Sequence, residues 1–199
     1  SEDGSAEAVR DAFPGIRTIA ATDNIGFAAA NNVAAKMAHA PYLLLLNPDT
    51  ETYDNAIRNL LDFAKANPTG GIYGGRTFYP DGTLNPFSCL NQISVWSLVN
   101  RLLGLDKLIS ESEFFNPEQI GGWKRDSVRN VDIVVGCFFL IPTALWHELG
   151  GFDLKYFMYG EEADLCHRAR RKGYAPLITP DANIMHLVGA STSLRSDKI

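Results

Sequence analysis

The sequence predicts an α/β fold in which a mostly parallel central sheet is flanked by helices. The first observation is the apolar run from Tyr42 to Leu46, which lacks polar alternation and is typical of a central strand buried on both faces. The second is that helical patterns separate this run from further apolar runs. With 46% hydrophobic and 21% charged residues, the 199-residue chain also has the composition of a globular protein. We therefore expect one domain over 1–199.

The chain is expected to begin with a helix, a strand and a second helix. The first helix runs from about Ala6 to Phe13, with Asp3 or Ser5 as its cap. A short strand over 16–20 follows, and Asn24 caps a helix over about 24–39. Small residues fill the first turn of this second helix, so another group can approach the positive end of its dipole. Close packing of the helix on a sheet needs small residues as well, and both explanations stay open.

The rest of the chain continues the alternation of strands and helices. A less regular region at about 85–130 is typical of a lid or binding loop. The remaining expected elements are helices over 55–66, 93–105, 142–149 and 161–172 and strands over 72–79, 131–141, 174–179 and 183–187.

Polar residues follow the apolar run directly. Asn47, Pro48 and Asp49 end the strand with an amide, a residue that cannot donate to the sheet, and a carboxylate. In open α/β sheets the ligand crevice lies beyond the carboxyl ends of the strands, so Asp49 is expected to face a polar cleft. An ordinary turn, or a helix cap at Asp49 or Thr50, explains the same residues equally well.

Two further groups of polar residues lie near the ends of predicted elements. Glu161 and Glu162 begin a helix, and His186 lies in the last strand. Each has a structural explanation: acids are favoured in a first helical turn, and a single histidine is often an ordinary core or surface residue. Asp164 and Arg168 are spaced as a helical ion pair.

Charge and cysteine content narrow the class of protein. A net charge of -5 argues against a nucleic-acid surface, which needs a basic face. Three widely spaced cysteines favour neither a disulfide framework nor a zinc site, and they fit a reducing cytosol. No run approaches the ~20 apolar residues of a membrane span. We expect a cytoplasmic protein.

Four segments in order resemble the family 2 glycosyltransferases of the GT-A fold, particularly a bacterial rhamnosyltransferase-like branch. These segments cover 24–32, with the sequence Asn-Ile-Gly-Phe-Ala-Ala-Ala-Asn-Asn; 44–49, ending Asn-Pro-Asp; 135–141, beginning Val-Gly-Cys; and 150–166, which holds Gly-Gly-Phe-Asp and Gly-Glu-Glu-Ala-Asp. The likeness runs nearly from end to end and closes at His186.

The resemblance implies a metal site and a nucleotide site. Asn47-Pro48-Asp49 looks like the family's Asp-X-Asp element, whose last carboxylate binds a divalent ion bridging the nucleotide diphosphate. His186 matches a histidine that completes the coordination in some relatives, and this ligand set fits Mn²⁺ or Mg²⁺. The nucleotide-site residues implied by the resemblance are Asn24, Gly26, Phe27, Asn31, Asn47, Asp49 and Gly136, of which Gly136 leaves room for the donor sugar or acceptor.

The resemblance also implies catalytic residues. Glu161-Glu162 matches an acidic pair usually written Glu-Asp, whose second member is the general base, and here Glu162 is one methylene longer than usual. A single base with direct displacement predicts an inverting transferase. By the same resemblance we expect a nucleotide diphosphate sugar as donor, with rhamnose first, and a glycan or lipid-linked acceptor at the inner membrane face. Trp123, Lys124 and Arg125 are either a loop over the diphosphate or an ordinary exposed turn.

The start of the chain departs from the family pattern. Relatives begin with a strand, a helix and a second strand, and this chain starts inside the motif that ends the second strand. A first strand and a base-recognising aspartate are therefore expected to be missing, and the exposed sheet edge is expected to favour self-association. The alternative functions are a sugar-1-phosphate nucleotidyltransferase, whose basic Gly-rich loop is not visible in the sequence, and a non-catalytic sugar-nucleotide-binding module.

Overall fold

The computed structural model describes residues 4–156 and 159–187. In chain order the elements are α1 (Ser5–Ala12), α2 (Phe27–Lys36), β1 (Tyr42–Leu46), β2 (Thr50–Thr52), α3 (Ala56–Ala66), β3 (Tyr73–Phe78), a short 3₁₀ helix (Pro86–Ser88), β4 (Cys89–Leu90), α4 (Val95–Leu102), α5 (Leu105–Leu108), β5 (Arg129–Asn130), β6 (Ile133–Val134), β7 (Phe138–Pro142), α6 (Thr143–Leu149), α7 (Glu161–Arg171) and β8 (Leu177–His186).

The main sheet has the strand order β1-β7-β3-β8-β2, and β5 pairs with β8. The α/β class is confirmed, but the sheet is mixed, and of the pairings among the described strands only that of β3 with β8 is parallel. Strands β1, β3 and β8 do run in one direction, as alternating strands and helices predict. The prediction of a mostly parallel sheet was wrong because β7 inserts between β1 and β3 in the opposite direction.

Strand β7 divides the hydrophobic core into two layers. Its side chains alternate between the two faces of the sheet, and all four residues from Phe138 to Ile141 are buried. Phe139 and Ile141 join a cluster that includes residues of α2, α6 and α7. Phe138 and Leu140 join a second cluster formed with α3. Helices therefore cover both faces of the sheet, as the uninterrupted apolar sequence of this strand requires.

Two predictions near the start of the sheet were wrong. Strand β1 was expected at its centre, but within the described residues it pairs only with β7 and so forms an edge. Residues 16–20 are not a strand, and Ile16 is 59% exposed. A short apolar run becomes a strand only where a neighbour takes up its hydrogen bonds, and the described strands offer this segment no such pairing.

The first two helices begin with glycine rather than at the predicted caps. Gly4 precedes α1 with φ +75°, a conformation that glycine adopts without strain. Gly26 precedes α2 with φ +82°, while the Asn24 side chain accepts a hydrogen bond from the Gly26 N–H at 3.0 Å. Asn24 therefore shapes the turn before the helix instead of capping it.

The two predicted strands over 174–179 and 183–187 form the single strand β8. Its parallel pairing with β3 shifts register, because Gly74 pairs with Ile178 whereas Arg76 pairs with Asn183. Gly75 lies at this bulge, where an added Cβ would be 2.0 Å from the carbonyl oxygen of Ala182. Only glycine fits such a close approach of two backbones.

The region at 85–130 holds short helices, turns and the two-residue strands β4 and β5, and the predicted helix over 93–105 is shorter, as α4 ends at Leu102. Ser94 caps α4 in a reciprocal arrangement with Ser97. Arg125 is 2% exposed, and its guanidinium donates to the carbonyl oxygens of Trp123, Pro86 and Gln119. The alternative of an ordinary exposed turn was wrong for Arg125, because its side chain fastens this region from inside, while a loop over the diphosphate stays a prediction. No helix in the described ranges has the length and apolar character to cross a bilayer.

Candidate active site

Asp49 and His186 meet beyond the ends of two strands. Nε2 of His186 lies 3.1 Å from Oδ1 of Asp49, and the two side chains are only 14% and 12% exposed. The side-chain amide nitrogen of Asn47 lies 3.4 Å from the same imidazole nitrogen. Three residues predicted for the metal and nucleotide sites therefore form one polar cluster.

Strand pairing forces this meeting. Thr50, the first residue of β2, pairs with His186, the last residue of β8, so the residue before Thr50 lies beside the imidazole. The backbone N–H of Leu187 donates to the carbonyl oxygen of Asp49 at 2.9 Å and extends the pairing. The Thr50 hydroxyl donates to the carbonyl oxygen of Asn47 at 2.6 Å and fixes the turn between β1 and β2.

The segment Gly136–Cys137 connects this cluster to Glu162. The backbone N–H of Asn47 donates to the carbonyl oxygen of Cys137 at 3.2 Å. On the other side, the Gly136 backbone acts on the Glu162 carboxyl and lowers its pKa. A single stretch of backbone before β7 therefore lies between the Asn-Pro-Asp turn and the first turn of α7.

The Glu162 carboxyl is buried and incompletely hydrogen-bonded. Its Oε2 has no hydrogen-bond partner in the described part of the chain. Burial raises the pKa of Glu162 above the ordinary glutamate value and the nearby Glu161 carboxylate adds to the rise, although backbone hydrogen bonds at Gly136 and Gly160 act in the opposite direction. A carboxyl with a raised pKa and a free oxygen has the properties of a general base.

Cys137 lies between the two groups of acids. Burial raises the pKa of its thiol to about 12, and the charges of Glu162 and Asp49 both contribute to the rise. Both carboxylates therefore act electrostatically on one thiol, which supports their common location. The hydrogen bond to Thr77 acts in the opposite direction. With so high a pKa the thiol stays protonated and serves as packing rather than as a nucleophile.

Glu161 is the more buried member of the acidic pair. It is 3% exposed, and its Oε2 also lacks a hydrogen-bond partner among the described residues. Because Gly160 precedes α7 with φ +97°, both glutamates fall in the first turn of the helix, where the dipole favours negative charge. The predicted pair of Asp164 and Arg168 is present, with Nε of Arg168 2.8 Å from Oδ2 of Asp164.

Of the nucleotide-site residues predicted at the start of α2, one lies at the site, whereas two make contacts within their own turn or helix. Phe27 lies at the site, since a Cβ added at Gly136 would be 3.2 Å from its ring. Asn31 turns back to its own helix and donates to the carbonyl oxygen of Phe27 at 2.9 Å. Asn24 bonds to Gly26 as described above. No described contact brings Asn24 or Asn31 to Asp49, and their nucleotide role stays a prediction.

Sequence reasoning gave no role to Asn32, which holds the turn leading towards α7. Its amide donates to the carbonyl oxygen of Phe152 at 2.8 Å, and its Oδ1 accepts from the N–H of the same residue at 2.9 Å. Arg168 holds the other side of this turn through the carbonyl oxygens of Leu149 and Gly151. The sequence signal that could have found Asn32 is its position directly after Asn31, the residue that was predicted for the nucleotide site. Residues 157 and 158 of the resemblance lie outside the described residues.

The donor set for a metal is incomplete on its own. Asp49 supplies a carboxylate oxygen and His186 an imidazole nitrogen, and the Asn47 amide is adjacent. No group of three or more histidine, cysteine or acidic side chains close enough to hold an ion occurs in residues 4–156 and 159–187. This set fits a cation that takes its remaining ligands from a bound oxygen-rich molecule.

Comparison with known proteins identifies the family. The family model described as glycosyl transferase family 2 matches residues 1–137, which is more than half of the 199 residues. The chain belongs to glycosyl transferase family 2. The family match ends before Glu161, Glu162 and His186, so it covers the Asp49 side of the site alone.

Curated relatives of this family 2 chain match most of its length. It is 26% identical over 204 residues to an N-acetylglucosaminyl-diphospho-decaprenol L-rhamnosyltransferase of Mycobacterium tuberculosis, covering 96% of this chain and 65% of that protein. It is 25% identical over 179 residues to the O-antigen biosynthesis protein RfbC of Myxococcus xanthus, covering 87% of this chain and 13% of that protein. The chain thus spans about two thirds or less of the length of these relatives.

Solved structures of glycosyltransferases share the fold of the family 2 chain. GalNAc-T7 with UDP, GalNAc and Mn²⁺ matches with a TM-score of 0.65 and 15% identity, covering 93% of this chain and 34% of that one. The mannosyltransferase PcManGT from Pyrobaculum calidifontis, in complex with GDP-Man and Mn²⁺, matches with a TM-score of 0.60 and 19% identity, covering 96% and 46%. The expected GT-A fold is confirmed.

Proposed function

We propose that this chain transfers a sugar from a nucleoside diphosphate donor to a hydroxyl of a glycan or lipid-linked acceptor, with inversion at the anomeric carbon. The observation that carries the proposal is the shared backbone segment at Gly136–Cys137. Cys137 bonds to Asn47, two residues before Asp49, and Gly136 acts on Glu162, so the proposed cation-binding carboxylate and a buried carboxylate of raised pKa lie on either side of one backbone segment.

Glu162 is the proposed general base. Its Oε2, unpartnered among the described residues, accepts the proton of the acceptor hydroxyl as the hydroxyl oxygen attacks the anomeric carbon. The new carbon–oxygen bond forms while the bond from the anomeric carbon to the diphosphate breaks, and its electron pair leaves with the nucleoside diphosphate. One direct displacement inverts the configuration. Glu161 keeps the local field negative and so helps Glu162 to hold the proton.

Asp49 and His186 are the proposed ligands of a divalent cation, Mn²⁺ or Mg²⁺. Their oxygen and nitrogen donors lie 3.1 Å apart, and Asn47 is positioned beside them to bind a phosphate oxygen or a metal-bound water. When bound, such an ion offsets the charge that develops on the departing diphosphate. The imidazole favours Mn²⁺ over Mg²⁺, which prefers oxygen ligands. The glycosyltransferase structures with Mn²⁺ support the same kind of ion.

The proposed donor carries rhamnose, with deoxythymidine diphosphate as the carrier, and a uridine diphosphate hexose is the second choice. The mycobacterial relative supports this choice, because its name gives rhamnose as the transferred sugar and a diphospho-decaprenol as the acceptor. The RfbC relative supports a role in cell-surface polysaccharide synthesis. An acceptor with a polyprenyl tail would be met at the inner face of the cell membrane.

A thermal-shift screen tests the proposed donor. A ligand that binds only the native state stabilises it by RT ln(1 + L/Kd), where L is the free ligand concentration, and so raises the melting temperature. A nucleotide sugar with Mn²⁺ is expected to raise it, and the same compound without Mn²⁺ is expected to have a much smaller effect. Absence of any shift across deoxythymidine, uridine and guanosine diphosphate sugars would argue against a nucleotide-sugar site in this chain.

A further inference from the structure

Six side chains form a patch on one face of the sheet, where β2, β8 and β3 lie side by side. Paired residues of adjacent strands point to the same face, and Met185 of β8 pairs with Glu51 of β2 and with Phe78 of β3. Asn183 of β8 also pairs with a residue of β3, and the N–H of Tyr53 donates to the carbonyl oxygen of Asn183 at 3.0 Å. The six residues, which we call the β8 patch, are Glu51, Tyr53, Arg76, Phe78, Asn183 and Met185.

The β8 patch lies on the side of the sheet that α7 covers. Ile184 is buried in the cluster formed with α3, so the β8 residues on either side of Ile184 point to the opposite face. Gly74 shares the face of Arg76, and a Cβ added at Gly74 would be 2.6 Å from Val134, which belongs to the cluster that includes residues of α7. The patch and α7, whose first turn holds Glu162, are therefore on the same side of the sheet.

The β8 patch adjoins the proposed metal site. The pair of Glu51 and Met185 is one residue away from the pair of Thr50 and His186, which is about 3.4 Å along the strands. His186 in turn lies beside Asp49. A molecule bound on the patch would therefore be next to the residues proposed to hold the cation and the departing diphosphate.

Two polar groups of the β8 patch lack partners, and they need opposite ones. Nε of Arg76 and Oδ1 of Asn183 are both buried, and neither has a hydrogen-bond partner among the described residues, although the two residues are paired across the strands. Buried polar atoms are normally hydrogen-bonded, so this network is incomplete. The guanidinium can only donate and the amide oxygen can only accept. A hydroxyl group, which does both, is the ligand group that suits this neighbourhood.

The charges of the patch favour a neutral ligand over an anion. Arg76 is the single base of the patch, and no ion pair within residues 4–156 and 159–187 includes it. The exposed Glu51 on the same face balances its charge. Glu161 and Glu162 add negative charge on the same side of the sheet. A phosphate or carboxylate on the patch would therefore meet no excess of positive charge.

Two aromatic rings complete the patch. The ring centroids of Tyr53 and Phe78 are 6.5 Å apart, and Tyr53 is 37% exposed. The Arg76 guanidinium carbon lies 5.0 Å from the centroid of the Phe78 ring, so Tyr53 offers the more open ring. A pyranose presents C–H groups on its faces and hydroxyls around its rim. An open aromatic ring beside one unpaired donor and one unpaired acceptor therefore matches a sugar.

We propose that the β8 patch is the subsite for the acceptor sugar, the pyranose that carries the attacking hydroxyl. The proposal deepens the proposed function and rests on it for the reaction. Tyr53 contacts the C–H face of the sugar, and Arg76 and Asn183 bind hydroxyls on its rim. The sugar then lies between the proposed metal site and the side of the sheet on which Glu162 takes up the proton.

Saturation-transfer nuclear magnetic resonance tests the subsite without donor, metal or catalysis. The probes are the methyl glycosides of N-acetylglucosamine, glucose, galactose, mannose and rhamnose, and the wild type is expected to transfer saturation to the ring protons of at least one. Tyr53→Ala and, separately, Arg76→Gln are expected to weaken that binding about tenfold, because each removes a direct contact with the sugar. Arg58→Gln is the matched control: Arg58 lies on α3, across the sheet, and its exposed pair with Asp62 is all that is lost.

Three results would overturn the inference. The first is a wild type that transfers saturation to none of the five glycosides, and the second is equal binding by the wild type and both patch variants. The third is a tenfold loss, in Arg76→Gln, of affinity for the nucleotide sugar that gives the largest thermal shift, because this loss would assign the patch to the donor. Far-UV circular dichroism confirms that each variant is folded. Glycoside binding that depends on Arg76 in a protein without transferase activity would count against the proposed function alone.

Discussion

Nε2 of His186 lies 3.1 Å from Oδ1 of Asp49, although 137 residues separate them in the chain. The pairing of β2 with β8 brings them together, because Thr50 is in register with His186. A histidine and an aspartate joined in this way form either an ordinary structural pair or part of a metal site. The adjoining Asn47 and its backbone bond to Cys137 connect the pair to the Glu162 carboxyl, which favours the metal site.

Asp49→Asn removes the charge of the proposed metal ligand while keeping its shape. We expect binding of a nucleoside diphosphate in the presence of Mn²⁺ to weaken roughly 10- to 100-fold or more, since loss of a ligand affects metal affinity at least as much as loss of a supporting residue. Isothermal titration calorimetry measures this binding affinity. Asp81→Asn, which changes an exposed turn carboxylate, is the control and is expected to bind as the wild type does. Unaltered Mn²⁺-dependent binding by Asp49→Asn would remove Asp49 from the site.

Glu162→Gln is expected to stabilise the fold near neutral pH. The pKa of Glu162 is raised in the native state, so ionisation is more costly in the folded chain than in the unfolded one. The ionisation of Glu162 therefore lowers the free energy of unfolding. This loss is absent below the ordinary glutamate pKa of about 4.3 and grows as the pH rises from there through the raised pKa of the native state. The glutamine variant never ionises and avoids this cost.

Thermal melting of both proteins across pH measures this effect. The melting temperature of Glu162→Gln should exceed that of the wild type at neutral pH, and the two should converge in acid. Glu148→Gln, in which an exposed ion pair with Lys172 is lost, is the control and is expected to show no such gain. A glutamine variant that is less stable than the wild type at neutral pH would mean that the Glu162 carboxylate is stabilised by its surroundings.

Asn32→Ala is expected to destabilise the fold by about 1–3 kcal/mol, because it leaves both backbone groups of Phe152 without their side-chain partner. Denaturant unfolding measures this loss. Asn31→Ala removes one bond to the Phe27 carbonyl oxygen within its own helix and is expected to cost less. Equal losses in the two variants would show that Asn32 has no special part in holding the turn that leads to α7.

Gly75→Ala is expected to destabilise the fold by about 3 kcal/mol or more, since the added methyl group meets the Ala182 carbonyl oxygen in the bulge between β3 and β8. Gly15→Ala is the matched control, because a Cβ there meets no atom within 4 Å. Unfolding curves of the two variants give the comparison. A Gly75→Ala protein as stable as Gly15→Ala would show that the strands separate at the bulge at little cost.

Local sequence patterns were sufficient to predict several helices and strands and to single out the polar residues of the candidate site. The helix over 55–66 and the strand over 72–79 were found within one residue, because helical spacing and a following Asn-Pro or Pro-Asp-Gly segment are local signals. The grouping of Asp49 and His186 came from family resemblance. Their separation in sequence leaves no periodic signal that pairs them.

Long-range pairing explains what sequence reasoning missed. The position of β7 between β1 and β3 depends on which strand edges meet. The apolar sequence over 138–142 does not indicate whether the strand runs parallel or antiparallel to its neighbours. An exposed turn was one prediction for Arg125, but its guanidinium is buried against the carbonyl oxygens of Trp123, Gln119 and Pro86. The bond to Pro86, 39 residues away, has no local sequence signal.

The central claim is that Asp49, His186 and Glu162 act together on a nucleotide sugar, and product analysis of Glu162→Gln tests it most directly. With Mn²⁺, the wild type is expected to form an inverted glycoside at a rate that falls as the pH drops through the raised pKa of Glu162. The variant is expected to bind the donor normally but to transfer about 10²- to 10⁴-fold more slowly and to lose that acid limb. Transfer by Glu162→Gln at the wild-type rate, or a product of retained configuration, would contradict the account.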